Sequence, residues 1–418
     1  MKIDNDPILI GDSIVFKDKE GIFIYSQNRK KVVLVNDFII QELQEKGFLL
    51  PLSEKFGNYS DNKKSLNLML LLGNKCIMGC RYCYANGGAT NNEMMSFEVA
   101  EKAVEQYIGM EPDCKRITLF GGGEPTLNID VIRKLIDKYQ SSFSWILTTS
   151  GVVSQNFLRW LINKNVNITF SIDGPSFIQN KLRPLRNGEQ SSHIVERSMR
   201  IWKNESCKPL SVRTTLTNET SIIISDILEY FNQIGVDTVH IEPLYNIGRA
   251  IESAKEKLFQ CPTLDNWVNA VIIALKWAKN NKKRVRIGEL IYFLNPGTSS
   301  YCSPMRGRTI VVNHRGEITT CSEVVDDNNE NWKLFHIGKL GSKFDFDNER
   351  FKFLANRTVD NMEFCKNCFA KYLCRGGCAH KALTGAGDLF SQNSFHCAFM
   401  KRIIPLLIKR MVIGEYKF

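Results

Sequence analysis

The chain has no apolar stretch near the ~18 residues that a membrane-crossing helix needs. Its opening, MKIDNDPILIGDSIVF, lacks the basic-then-apolar layout of a secretory signal. The expectation is a cytoplasmic protein with no membrane partner. Histidine is scarce, six in 418 residues, and no two are spaced as a metal-binding pair. His380 and His396 follow or precede cysteines and read as surface groups or as neighbours of those cysteines. No long Lys/Arg block accompanies the formal charge of +11, which is spread along the chain. That patterning describes a solvated surface, so no nucleic-acid partner is expected. Low-complexity segments and sequence repeats are missing too.

Cysteine, in contrast, is abundant, with 13 residues. In a reducing compartment clustered cysteines read as metal ligands or reactive groups, and an odd count argues against a fully paired disulfide framework. With 43% hydrophobic and 24% charged residues, the rest of the composition is that of a globular protein of two or three domains.

Residues 1–60 read as a small β-rich unit. PILIGDSIVF, GIFIYSQ and KKVVLVND are β-branched runs separated by turns, and FIIQELQEK has helical spacing, with Phe38, Ile39 and Leu43 available for one face. The polar stretch 57–65 reads as a linker. Strands are expected at 66–72, 116–120, 145–149, 167–172, 210–217 and 238–243. Helices are expected at about 96–109, 129–140, 155–164, 191–203, 222–233 and 263–280. Six strand–helix units predict a parallel α/β sheet, a partial (β/α)6 barrel over 64–282. A bridging segment (283–300) and a cysteine-rich domain (301–401) follow, with a hairpin over 308–324 turning at NHRG. FMKRIIPLLIKRMVI belongs to a packed terminal helix, placed at 402–418 despite Pro405.

Cys76, Cys80 and Cys83 form CxxxCxxC directly after the first barrel strand, on the side where barrel enzymes collect their chemistry. Three thiolates suit three corners of a four-iron cube, which ordinarily takes four. On spacing alone, zinc is the alternative. With Tyr82 before the third cysteine, the pattern resembles the signature of the radical S-adenosylmethionine (SAM) superfamily. The resemblance implies that the three thiolates hold a [4Fe–4S] cluster and that SAM chelates the open iron. Cleavage of SAM by the reduced cluster then yields a 5′-deoxyadenosyl radical. FGGGEPTL at 120–127 resembles the family's GGE motif, which assigns Gly121, Gly122, Gly123 and Glu124 to the SAM amino group, with Pro125 in the turn. By the same resemblance Tyr82, Ser150, Ser171, Asp173, Arg183 and Leu244 are SAM-binding candidates. Ser150 stands where relatives carry asparagine, and Asp173-Gly174 also reads as a simple turn.

A second series reads C-x13-G-x4-C (Cys302, Gly316, Cys321), then C-x2-C-x5-C-x3-C (Cys365, Cys368, Cys374, Cys378), and closes at Cys397. It resembles the SPASM domain, although a double zinc ribbon is the alternative. The resemblance implies two auxiliary [4Fe–4S] clusters, three clusters in all. The outer takes Cys365, Cys368, Cys374 and Cys397. The inner takes Cys302, Cys321 and Cys378, and its fourth ligand is either a remote residue or a substrate thiolate. Cys114, Cys207 and Cys261 read as small buried hydrophobes.

Members of this branch mostly modify peptides. The expectation is a maturase for a ribosomally made precursor peptide, forming a thioether or other crosslink. An auxiliary cluster would accept the surplus electron, and a flavodoxin or ferredoxin would supply the reducing electron. The alternatives are an anaerobic sulfatase-maturing enzyme that forms formylglycine and a non-catalytic cluster-binding regulator. Glu323, two residues after Cys321, is a candidate base or a structural carboxylate. The N-terminal unit resembles part of a leader-binding winged domain that takes its peptide as an added strand.

Overall fold

The computed structural model describes residues 6–36, 40–50, 66–89, 92–113, 115–290 and 299–412. The linker at 57–65, the apolar pair Phe38 and Ile39, Cys114, part of the 283–300 bridge and the end of the terminal helix lie outside them. The chain divides into two compact units. One holds residues 1–62, 287–302 and 356–418, the other 63–286 and 303–355, so the expected cysteine-rich segment 301–401 is shared between them.

In the first unit, β1 (Ile8–Ile10), β2 (Ser13–Asp18), β3 (Gly21–Ser26) and β4 (Lys31–Val35) form an antiparallel meander. The run PILIGDSIVF is therefore two strands, not one. Gly11, at φ +55°, lets the chain reverse against Leu50, whose carbonyl would lie 2.2 Å from a Cβ there. Asp12 then holds the corner by accepting from the Ser13 hydroxyl (2.9 Å), the Ser26 hydroxyl (2.7 Å) and the Leu50 amide (3.2 Å). The terminal helix runs Ser394–Val412 and so includes Cys397. It packs on β3 and β4, burying Phe399, Ile403, Ile404 and Leu407, and Lys409 pairs with Asp18.

The larger unit carries β5 (Asn67–Leu71), β6 (Arg116–Phe120), β7 (Ser144–Thr149), β8 (Asn167–Ser171), β9 (Ser211–Leu216) and β10 (Thr238–Pro243). All five pairings among them are parallel and join consecutive strands. This order is that of a singly wound barrel, and it excludes a doubly wound sheet, in which the order reverses midway. The sequence explains the crossovers. Ser96, Ser154, Thr217 and Thr263 each cap a helix start by accepting from an amide two or three positions into the helix. The helix Ile129–Tyr139 repeats its apolar residues at helical spacing and buries Val131, Ile132, Leu135 and Ile136. Each such side chain contributes ~1.5–3 kcal/mol of burial.

The sheet continues at both edges, with β11 (Arg284–Ile287) beside β10 and β12 (Thr309–Val312) beside β5. β12 pairs in parallel with β5 (Thr309↔Asn67), and β13 (Glu317–Thr319), β14 (His336–Leu340) and β15 (Phe344–Phe346) follow antiparallel. The NHRG turn joins β12 to β13, as its sequence suggests.

Along β6–β10 the burial alternates, except at Ser171 and Thr238, which are buried beside buried neighbours. Ile117, Leu119, Trp145, Leu147, Ile168, Phe170, Val212, Val239 and Ile241 are buried on the face that the helices cover. The intervening Thr118, Thr148, Thr169, Arg213, Thr215, His240 and Glu242 are half-buried on the inner face. A partly open chamber, mostly polar but with Phe120 and Ile146 among its half-buried positions, therefore runs inside a largely apolar shell.

Candidate functional site

The loop after β5 carries the first three thiols, which gather with Met78, Leu185, Val152 and Ile194. The Met78 amide donates to Cys76 Sγ and the Gly87 amide to Cys83 Sγ, both at 3.4 Å. Burial pushes the Cys76 thiol up to about 12, with the neighbouring Glu124 and Cys80 adding to it, and Cys80 up to about 11. Such thiols stay protonated at neutral pH unless a metal takes the proton's place. Among the described residues no three His, Cys, Asp or Glu side chains converge on a single ion. A cube takes one thiolate per iron, and three thiols gathered on one loop suit three of its irons.

This loop is clamped from the loop after β10. Arg249 Nη1 donates to the Cys80 carbonyl at 2.6 Å and its amide to the Cys83 carbonyl at 3.0 Å. Arg186 Nη2 donates to the Gly87 carbonyl at 2.6 Å, where Arg249 Nη2 also reaches at 3.3 Å, and Ser253 Oγ donates to the Arg81 carbonyl at 2.6 Å. Gly248 (φ +58°) sits where a Cβ would lie 2.5 Å from the Cys83 and Tyr84 carbonyls. From the other side Asn74 Nδ2 donates to Asp326, on the segment after Cys321. Sequence reasoning missed Arg249, Arg186 and Asp326, because nothing in their local context marks them.

After β6, Gly122 and Gly123 pass so close to the thiol loop that a Cβ would lie 2.6 Å from Asn74 Oδ1 and 2.1 Å from the Lys75 carbonyl, respectively. Glu124 is buried. Its Oε1 accepts from the Thr126 amide (3.1 Å) and hydroxyl (2.7 Å) and from the Thr149 hydroxyl (2.7 Å). Among the described residues Oε2 accepts only from the Ser150 amide, at 2.7 Å, which leaves it one lone pair there. Ser150 thus acts through its backbone, and its hydroxyl accepts from the Val152 amide at 3.3 Å.

After β8, Asp173 accepts from the Tyr82 hydroxyl at 2.5 Å and from the Thr215 amide at 3.1 Å, and Tyr82 in turn accepts from Arg183 Nη1 at 2.9 Å. Burial raises the Asp173 carboxyl, with Arg183, Tyr82 and Thr215 opposing. Asp173 is therefore one member of a three-residue network that reaches the thiol loop through Tyr82. Ser171 and Leu244 are buried at the ends of β8 and β10.

Deeper in the chamber Arg213 Nη2 pairs with Glu242 Oε1 at 2.7 Å, with side chains 38% and 34% exposed. The Tyr84 phenol is raised first by burial and then by the field of Glu323, with Arg213 opposing. Burial, with Arg213 adding, holds His240 down at about 4. Tyr84, Glu323, Arg213 and Glu242 therefore lie within reach of one another's charge, and of these only Glu323 is marked in the sequence.

In the other unit Cys365, Cys368, Cys374 and Cys397 line one cavity with Asn393 and His396. Cys374 Sγ lies 3.2 Å from His396 Nε2, and Asn393 Oδ1 accepts from the His396 amide at 3.0 Å. Burial holds the His396 imidazole at about 4 and pushes Cys365 up to about 12. His396 is thus a buried neighbour of the cysteines. Cys302 and Cys378 belong to this unit and Cys321 to the larger one. Cys261 is partly buried and donates to Asn246 Oδ1 at 3.2 Å. Cys207 is exposed, contrary to its reading as a buried hydrophobe.

The site is thus a six-stranded, singly wound barrel with three thiols on its first loop. The Radical SAM superfamily model matches residues 70–241 of the chain. The cysteine-type anaerobic sulfatase-maturating enzyme of Clostridium perfringens is 23% identical over 362 residues, 81% of this chain and 94% of that protein. The radical SAM cyclopropyl synthase TigE of Paramaledivibacter caminithermalis is 23% identical over 421 residues, 90% of this chain and 83% of that protein. Among solved structures, anSMEcpe with bound AdoMet superposes with a TM-score of 0.66 at 18% identity, covering 84% of this chain and 95% of that one. Streptococcus suis SuiB bound to precursor peptide SuiA gives 0.57 at 12%, covering 94% and 99%. No described helix is long and apolar enough to cross a membrane.

Proposed function

We propose that this chain is a peptide maturase that forms a thioether or other crosslink in a ribosomally made precursor peptide. The observation that carries the reading is a pair of thiol sites in one chain: a three-thiol loop locked against Gly122, Gly123 and Glu124, and a separate cavity lined by four further cysteines. The likeness in fold to SuiB, solved with its precursor peptide, supports it. In this reading Cys76, Cys80 and Cys83 hold the first [4Fe–4S] cluster. Cys365, Cys368, Cys374 and Cys397 hold the outer auxiliary cluster, and Cys302, Cys321 and Cys378 the inner one. When bound, the first cluster and SAM together supply a 5′-deoxyadenosyl radical that takes a hydrogen atom from the peptide.

The protein's own part is positioning. Glu124 offers the free lone pair of Oε2 to an ammonium group. Arg183, fixed through Tyr82 and Asp173, brings a cation toward a carboxylate or ribose hydroxyl, with Ser171 and Leu244 beside it. The half-buried threonines, Arg213 and Glu242 present hydrogen bonds to a peptide segment inside the barrel. The β1–β4 meander offers an edge for a leader strand, and a flavodoxin or ferredoxin is the electron donor.

A second reading is formylglycine formation in a sulfatase. Five relatives, all cysteine- or serine-type anaerobic sulfatase-maturating enzymes at 22–23% identity, favour it, and so does Glu323, whose field reaches Tyr84 in the chamber. Anaerobic reconstitution followed by incubation with candidate precursor peptides and with cysteine- or serine-bearing sulfatase peptides tests both. Reductant-dependent 5′-deoxyadenosine, together with a precursor lighter by two hydrogens whose fragmentation maps a crosslink, supports the first. Formylglycine that is lost in Glu323→Gln supports the second. Bound zinc without SAM cleavage would sink both.

A further inference from the structure

Arg357 is 2% exposed, and its guanidinium is enclosed by backbone carbonyls. Nε donates to Leu389 O at 2.6 Å, Nη1 to Gly377 O at 2.8 Å, and Nη2 to Gly376 O at 3.0 Å and Ser391 O at 3.4 Å. No carboxylate lies within 4 Å of it among the described residues. A buried cation satisfied only by neutral acceptors is costly unless negative charge lies close by. Burial works against its charge, and what favours it is negative charge on the sulfurs of Cys378, Cys365, Cys302 and Cys374, which they carry as thiolates. Cys378 and Cys302 belong to the inner cysteine set, and Cys365 and Cys374 to the outer. The carbonyls of Gly376 and Gly377 come from the three-residue link that joins Cys374 to Cys378. Arg375, Gly376 and Gly377 all take positive φ (56°, 74° and 66°), a left-handed run in which two successive carbonyls meet one guanidinium.

We propose that Arg357 is a positioning residue whose fixed charge, held in its carbonyl cradle between the two cysteine sets, raises the reduction potential of both auxiliary clusters. The inference rests on the auxiliary-cluster reading above. A [4Fe–4S] centre bound by thiolates is anionic and gains negative charge on reduction, so a buried cation stabilises the reduced state more than the oxidised one. Net charge and burial are established determinants of such potentials. In water a single arginine would be screened, but in this dry setting its field is not.

The test uses full-length protein reconstituted without oxygen, as wild type, Arg357→Gln and Arg357→Lys. The readouts are iron content and a redox titration followed by electron paramagnetic resonance. Signals that shift on adding SAM belong to the first cluster and serve as the internal reference. In R357Q the auxiliary signals should need a poise lower by at least a tenfold change in the reduced-to-oxidised ratio, about 59 mV for a one-electron couple. The first cluster should stay where it is, and R357K should lie close to wild type. Equal auxiliary potentials in R357Q and wild type overturn the inference. So does an R357K shift as large as that of R357Q, because geometry rather than charge would then be responsible. If R357Q fails to take up auxiliary iron, R357K decides: loaded clusters at wild-type potential support the charge role, and equal failure overturns it. Wild-type protein with about four irons instead of about twelve would remove the auxiliary-cluster reading itself, an outcome distinct from all of these.

Discussion

Arg249 makes a sharp prediction about the thiol loop. Its Nη1 reaches the Cys80 carbonyl at 2.6 Å, and its Nη2 reaches Gly87 O at 3.3 Å, an acceptor that Arg186 already holds at 2.6 Å. A hydrogen bond from a charged donor contributes ~1.5–3 kcal/mol net, and the longer shared one contributes less. Arg249→Met keeps much of the apolar stem and removes both bonds, so the loop should lose about 2 kcal/mol of local order. At 1.36 kcal/mol per decade, opening becomes roughly 30-fold more frequent. Amide exchange over residues 74–89 of reconstituted, oxygen-free protein reads this directly, and a chelator should strip the first cluster faster by a similar factor. Arg249→Lys should recover part of the loss. In the double variant with Arg186→Met the Gly87 carbonyl loses both donors, so the two effects should fail to add, by about 0.5–3 kcal/mol. Unchanged exchange over 74–89 would refute the clamp. So would an acceleration of equal size throughout the chain, since it would mean general destabilisation.

Three further outcomes are expected. Gly123→Ala places a Cβ 2.1 Å from the Lys75 carbonyl and should abolish iron uptake at the first thiol set while the Cys365 set still loads, as iron counts and spectra will tell. Leu135→Ala, at a fully buried helix position, should lower stability by ~2–5 kcal/mol in denaturant unfolding, with little effect on cluster spectra. The Arg315 hydrogen bond, opposed by burial, holds Glu93 down at about 2 against an ordinary 4.5. Its folded value lies below its unfolded one, so its contribution is complete above about pH 4.5 and fades as pH falls toward 2. Glu93→Gln should flatten that part of the stability-against-pH curve. The effect is small because the side chain is 44% exposed.

Much of the barrel was legible because its signals are local. Strand-length segments rich in apolar residues alternate six times with segments of helical spacing, four helix starts carry Ser or Thr caps, and each of these is a property of neighbouring residues. The thiol spacing and FGGGEPTL were legible for a similar reason, since a loop that must wrap a cube or approach another backbone has few residue types to choose from. The return of β12 to pair with β5 was not, because it joins Thr309 to Asn67 across the whole barrel. Nor was the split of PILIGDSIVF. A Gly-Asp pair between apolar residues fits one irregular strand or two, and the Asp12 bonds to Ser26 and Leu50 decide between them.

By itself, then, the order of residues determined which segments alternate, where thiols can gather and which glycines tolerate no side chain, because those depend on short spacings and on volume. Tertiary structure alone decided that the polar residues of alternate strand positions line a chamber and not a wet surface, that Arg249 and Arg186 hold the thiol loop, and that Arg357 is buried with carbonyls for company. A lone arginine looks the same in any sequence; its role depends on the charges that folding brings near it and on the water that folding takes away.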